Sequence, residues 1–176
     1  HQLQLALVAA SKEVADVHNF FDHLALVINT VVSSSKRHDE LQANQVAEME
    51  HLIELGELET ESGANQVRTL QRPCDTRWSS HYASVCSLVK LYKPTFLVLK
   101  SIATAKGSGT SPSARAKASG AVKLMMSFDF IFILHVMKEL KGITDLLSKK
   151  MQQKTQDIEN AMDDVKTTKM LIQELR

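Results

Sequence analysis

Val14, Val17, Phe21, Leu24, Ile28 and Val31 recur at intervals of three and four residues, with Asp16, Asn19 and Asp22 between them. That spacing puts the apolar side chains on one face of an α-helix and the polar ones on the other. The signature returns along the chain. Residues 3–14 are rich in Leu, Val and Ala and read as a buried helix. A helix over about 39–55 uses Leu41, Met49, Leu52 and Ile53. Another starts near Trp78, capped by Asp75 or Thr76, and runs to Tyr92; Pro94 stands where a further helix begins after a bend. Ser33-Ser34-Ser35, Gly56 and Ser62-Gly63 punctuate these segments. Residues 127–134 (SFDFIFIL) have the aromatic and β-branched content of a strand. Leu134, Met137, Leu140 and Ile143 extend them with helical spacing, so the segment reads as a buried helix. The last helix carries Ile158, Met162, Val165, Ile172 and Leu175, a seam too short for a coiled coil.

The fold class expected is therefore all-α. Aromatics are only 5% of the chain, with 6 Gly and 3 Pro, too little turn and strand chemistry for a sandwich or barrel. At 176 residues and 44% hydrophobic, the chain suits a single helical domain over 1–176. Residues 106–117 (KGSGTSPSARAK) read as its flexible linker. The 2 cysteines, Cys74 and Cys86, give no disulfide framework. His1-Gln2-Leu3 carries no secretory signature, and a chain that does not begin with Met reads as a fragment. The apolar stretch 124–137 is too short to span a bilayer and holds Asp129 and His135, so no membrane partner is expected. A reducing compartment, cytosol or nucleus, is the default.

Net charge is +1, so only the distribution of charge is informative. Residues 39–61 hold Glu40, Glu48, Glu50, Glu54, Glu57, Glu59 and Glu61 with no Lys or Arg, a solvated face that repels DNA and could bind a basic partner. Residues 68–93 hold Arg68, Arg72, Arg77, Lys90 and Lys93 against a lone acid, Asp75, with Trp78, His81, Tyr82 and Tyr92 among them. At the expected helix start, free backbone N–H groups could meet a phosphate, Arg77 could pair with it, and Trp78 could stack on an exposed base. Alternatively Trp78 anchors packing and Arg77 pairs with Asp75. Composition alone favours packing, because a single aromatic at a helix start is more often core than ligand site.

The stretch CDTRWSSHY, residues 74–82, resembles the T-R-W-x-S motif of hAT-superfamily transposases. His1-Gln2-Leu3-Gln4-Leu5 resembles the segment that follows their C-x-x-H motif, with His1 as its histidine. Residues 127–162 are similar to the equivalent region of plant zinc finger MYM-type or TTF-type proteins with a HAT dimerisation domain. The resemblance covers nearly the whole chain, in three separated segments in the right order. It implies a helical insertion into an RNase H-like catalytic domain whose two aspartates precede His1 and whose glutamate follows Arg176. No catalytic residue is carried over, no enzyme activity is expected, and no cofactor is expected in this chain. The divalent metal would belong to the intact transposase.

The resemblance makes Arg77 and Trp78 the pair that handles a transposon end, the Trp steadying a flipped or hairpinned base. Thr76, Arg72, Arg68, His81 and Lys93 join them as expected DNA contacts, with His1, Asp75 and Ser80 as further motif positions. It also implies a nuclear location and allows a homo-oligomer formed outside this chain. The other reading is a helical protein-interaction module, or an inert relic, of a domesticated transposase, with residues 158–175 as its docking surface. Cys74, His81 and Cys86 fit no common zinc spacing. His18 and His135 fall near apolar faces and read as core or boundary histidines; His23 and His51 are scattered. No Walker loop, nucleophile elbow or paired-carboxylate motif is present.

Overall fold

A computed structural model describes residues 2–56, 67–73, 78–106, 109–152 and 157–175, with the backbone alone for 2–5, 7, 8 and 78. Among the described residues every regular element is an α-helix: α1 (Gln2–Glu13), α2 (Ala15–Val32), α3 (Ser35–Glu54), α4 (Trp78–Lys90), α5 (Tyr92–Thr104), α6 (Pro112–Met125), α7 (Phe128–Lys150) and α8 (Ile158–Glu174). The all-α expectation is met.

Helix α2 is the centre of the fold. It touches α1, α3, α4, α5, α6 and α7. Leu24, Val27, Ile28 and Val31 are fully buried. Leu24, Ile28 and Val31 are positions of the periodic stripe, Val27 widens its buried face, and full burial of each stabilises the fold by about 1.5–3 kcal/mol. Leu88 and Val85 of α4, Val98 and Leu99 of α5, and Leu134 of α7 close on the same core.

Small residues set the closest approaches. Ala118 and Ala121 of α6 are fully buried, and α6 lies against both α5 and α2. The Tyr92 hydroxyl donates to the Met125 carbonyl and so ties the start of α5 to the end of α6. Pro94 is the third residue of α5, where its missing N–H has no intrahelical acceptor to lose.

Several boundaries differ from the sequence reading. Helix α3 begins at Ser35, because only Ser33 and Ser34 break the backbone; they serve as the C-cap of α2 and the N-cap of α3. The linker expected over 106–117 is helical from Pro112. Ser111 accepts a hydrogen bond from the Ala114 N–H at 3.1 Å, Pro112 takes the first helical position, and Ala114–Lys117 are strong helix formers. Helix α7 is amphipathic rather than buried: Phe130, Leu134 and Met137 are in the core, whereas Phe128 and Phe132 stack on each other in solvent. Ser127 makes the 70° bend from α6 into α7, donating to the Leu124 carbonyl and accepting from the Phe130 N–H. In α1, Ala6, Ala9 and Ala10 are exposed, contrary to a buried helix. His18 and His135 are likewise on the surface, where His18 faces Asp22 at 3.9 Å and His135 Nδ1 lies 2.9 Å from the Ile131 carbonyl.

Candidate nucleic-acid interface

The segment 67–73 adopts neither helix nor strand, yet it is firmly held. The buried Gln45 side chain of α3 pairs with both backbone groups of Arg68: Nε2 donates to its carbonyl at 3.0 Å, and Oε1 accepts from its N–H at 2.6 Å. An amide side chain thus does what a neighbouring strand would do. Leu70 enters the core, and the Gln71 N–H donates to Ser87 Oγ of α4 at 3.0 Å. Ser80 Oγ donates to the Arg72 carbonyl at 3.2 Å. Arg68 and Arg72 are thereby fixed as exposed residues, Arg68 beside α3 and Arg72 beside the first turn of α4.

Arg72 does more than face solvent. Its Nη2 donates to the Val32 carbonyl at 3.2 Å, while Arg37 Nη1 donates to the Thr30 carbonyl at 2.8 Å and to Ser33 Oγ at 3.0 Å. Two guanidinium groups, far apart in sequence, therefore converge on the last turn of α2. That turn has orphan carbonyls and the negative end of the helix dipole, so it holds cations. Each guanidinium has five N–H donors, which leaves several for an outside anion.

A cavity of about 460 Å³ opens beside them, between the end of α2 and the start of α6. Asn29, Thr30, Ser33, Arg37, Ser111, Ser113 and Lys117 supply its polar lining, and no acid lines it. Helix α6 has no acid in its first turn, and neither does α4. The described surface thus has a cationic track from Arg72 through Arg37 to Lys117. Charge clustering in the sequence does not single out Arg37 or Lys117. Arg37 follows the serine run, and Lys117 ends the expected linker. The Ser-Pro pair before Ala-Arg-Ala-Lys is the signal that puts Lys117 on a helix.

The other sequence-derived positions divide. Thr76 and Arg77, with His1, Cys74 and Asp75, lie outside the described residues. Trp78 is the first residue of α4. Lys93 points to the acidic helix instead, bonded to Glu48 at 2.5 Å across α3 and α5. His81 is buried and packs edge-on against Phe21, with ring centroids 4.5 Å apart. It faces the core because position 81 lies one turn before the buried Val85 and two before Leu88, on the packed side of α4.

His81 belongs to a second cluster, between α2, α4 and α7. Lys141 is fully buried, with its Nζ 4.6 Å from the Phe21 ring centroid. Burial lowers its pKa to about 7, against an opposing pull from Asp145. Asp145 is also buried and accepts from Lys149 at 2.7 Å, a bond that raises the Lys149 pKa. The Tyr82 hydroxyl bonds Cys86, which chiefly raises the tyrosine pKa. At 8%, 0% and 5% exposure, His81, Lys141 and Asp145 are sealed from any substrate. Among the described residues no three His, Cys, Asp or Glu side chains converge as a metal site would require. No single helix among them is long and apolar enough to cross a membrane.

Compared with known protein families, with curated proteins and with solved structures, the chain matches none.

Proposed function

We propose that this chain is a nucleic-acid-binding helical module of a transposase-derived protein, a hAT-type insertion that positions DNA ends while a separate RNase H-like domain does the cutting. The observation that carries the reading is the convergence of Arg37 and Arg72 on the end of α2, beside an acid-free cavity. Phosphate contacts of this kind fix the register of a bound strand without reading its sequence. Trp78 is the first residue of α4, and Ser80 in the same turn donates to the Arg72 carbonyl, so positions 78 and 72 lie at one end of the helix. The T-R-W-x-S resemblance of residues 76–80 gives that end its role, stacking on an unpaired base of a transposon end. A nuclear location follows from the same reading. The later, Glu-rich turns of α3 lie beyond Arg37 and keep the duplex off that side, with Lys93 spent on Glu48.

The test is the affinity for hairpin-ended and single-strand-ended DNA of wild type, Trp78→Ala and Arg77→Ala. Loss of stacking should weaken Trp78→Ala by about 1–3 kcal/mol on those substrates. A Trp78→Ala protein that binds them as wild type does removes the end-recognition role.

A further inference from the structure

The cavity of about 460 Å³ between the end of α2 and the start of α6 is lined by Arg37 and Lys117 and by no acid. Its Arg37 is already in place, since Nη1 donates to the Thr30 carbonyl at 2.8 Å and to Ser33 Oγ at 3.0 Å. A guanidinium held in this way loses little further freedom when it takes up an anion. Across the cavity Ser111 lines the same wall as Lys117. Ser111 is exposed, with φ -63° and ψ 150°, the extended backbone that the following Pro112 imposes. An exposed, extended Ser-Pro is the form in which a proline-directed kinase takes up its substrate. Ser113 also lines the cavity, but it lies within α6 and no proline follows it.

A phosphoryl group on Ser111 matches what surrounds it. It carries about −1.5 to −2 charges at neutral pH and three strong acceptor oxygens, which comes close to cancelling Arg37 and Lys117 together. One oxygen can keep the bond that Ser111 Oγ now accepts from the Ala114 N–H. The others are left for the guanidinium and the ammonium. We infer that Ser111 is a phosphorylation site whose phosphate occupies the cavity of Arg37 and Lys117 and closes it to a nucleic-acid strand. The γ-phosphoryl group of a nucleoside triphosphate moves to Ser111 Oγ. The new O–P bond forms as the bond to the nucleoside diphosphate breaks, and the hydroxyl proton passes to the kinase's base. The seat of the phosphate stands on the cavity alone, whereas its effect on binding rests on the nucleic-acid reading above.

The full chain is treated with a proline-directed serine/threonine kinase and ATP, and its peptides are mapped by mass spectrometry. Phosphate is expected on Ser111, and a chain left unlabelled there overturns the site. Phosphorus NMR of the labelled chain then reports the seat. The phosphate should titrate below its ordinary value of about 6, and Arg37→Ala should return it toward that value. A midpoint at the ordinary value, or one that Arg37→Ala leaves in place, overturns the seat. The labelled chain should bind hairpin-ended DNA about tenfold or more weakly than the unlabelled one. Equal affinity overturns the regulatory role. An unlabelled chain that does not bind DNA removes the nucleic-acid reading and that role with it, while the titration still decides the seat.

Discussion

The Lys141 ammonium nitrogen sits 4.6 Å from the centroid of the Phe21 ring, in a position with no solvent exposure. An aromatic face offsets part of the cost of burying a cation, and Asp145 on the next turn of α7 offsets more. Desolvation still prevails, since the amine pKa falls to about 7. The lysine keeps this place because its stem fills the space between α2, α4 and α7, where Phe21 and His81 also meet.

A pH dependence follows. A lysine whose folded pKa lies below its unfolded value of 10.5 is bound by fewer protons when folded. Its penalty is complete below about pH 7 and fades as pH rises from 7 toward 10.5. This group therefore makes stability rise with pH across that window, by at most about 1.4 kcal/mol per unit. Urea unfolding of wild type and Lys141→Met at pH 6 and pH 9 measures it. Lys141→Met should be the more stable protein at pH 6, and the gap should narrow at pH 9. Comparing the pair cancels the titration of the groups that both proteins share.

Gln45→Ala should release the segment 67–73. The substitution leaves the Arg68 N–H and carbonyl without their present partner and costs about 1–3 kcal/mol if they stay buried. Hydrogen exchange at the Arg68 amide should speed up far more than exchange in α2. Equal protection in the variant would mean that Leu70, and not Gln45, holds the segment.

Leu24→Ala and Phe128→Ala separate the core from the surface of an all-helical chain. Leu24 has no exposure, so its truncation should cost about 2–5 kcal/mol in unfolding free energy. Phe128 is 76% exposed and should cost no more than about 0.5 kcal/mol. A large loss at Phe128 would restore the fully buried α7 expected from SFDFIFIL.

The helices were legible because their apolar spacing is a local property. The stripe from Val17 to Val31 is the buried face of α2, and Leu134 and Met137 mark the inward side of α7. What the spacing could not tell was how wide each buried face is. Phe128, Phe132 and Ile158 are as apolar as their neighbours, and only the packing of the other helices leaves them outside. The site was legible in part. Charge clustering pointed to Arg68 and Arg72, and both are exposed. It could not separate Lys93, which Glu48 takes up, or His81, which the helix register turns inward. Nor could it pair Arg72 with Arg37, since their meeting point is the end of a third element, α2.

The salt dependence of DNA binding tests the central claim most directly. Lys117 is exposed and lines the cavity without a hydrogen bond that the fold needs, so Lys117→Ala removes charge alone. Arg37→Ala removes charge together with a cap on α2, and its thermal unfolding serves as the control for that loss. Each phosphate that a variant no longer neutralises should lower the slope of log K against log salt by about 0.9 on duplex DNA or about 0.7 on single strands. The account predicts a shallower slope and weaker binding for both variants, with Arg37→Ala still folded. Wild-type binding without a salt slope, or slopes unchanged in both variants, would contradict it.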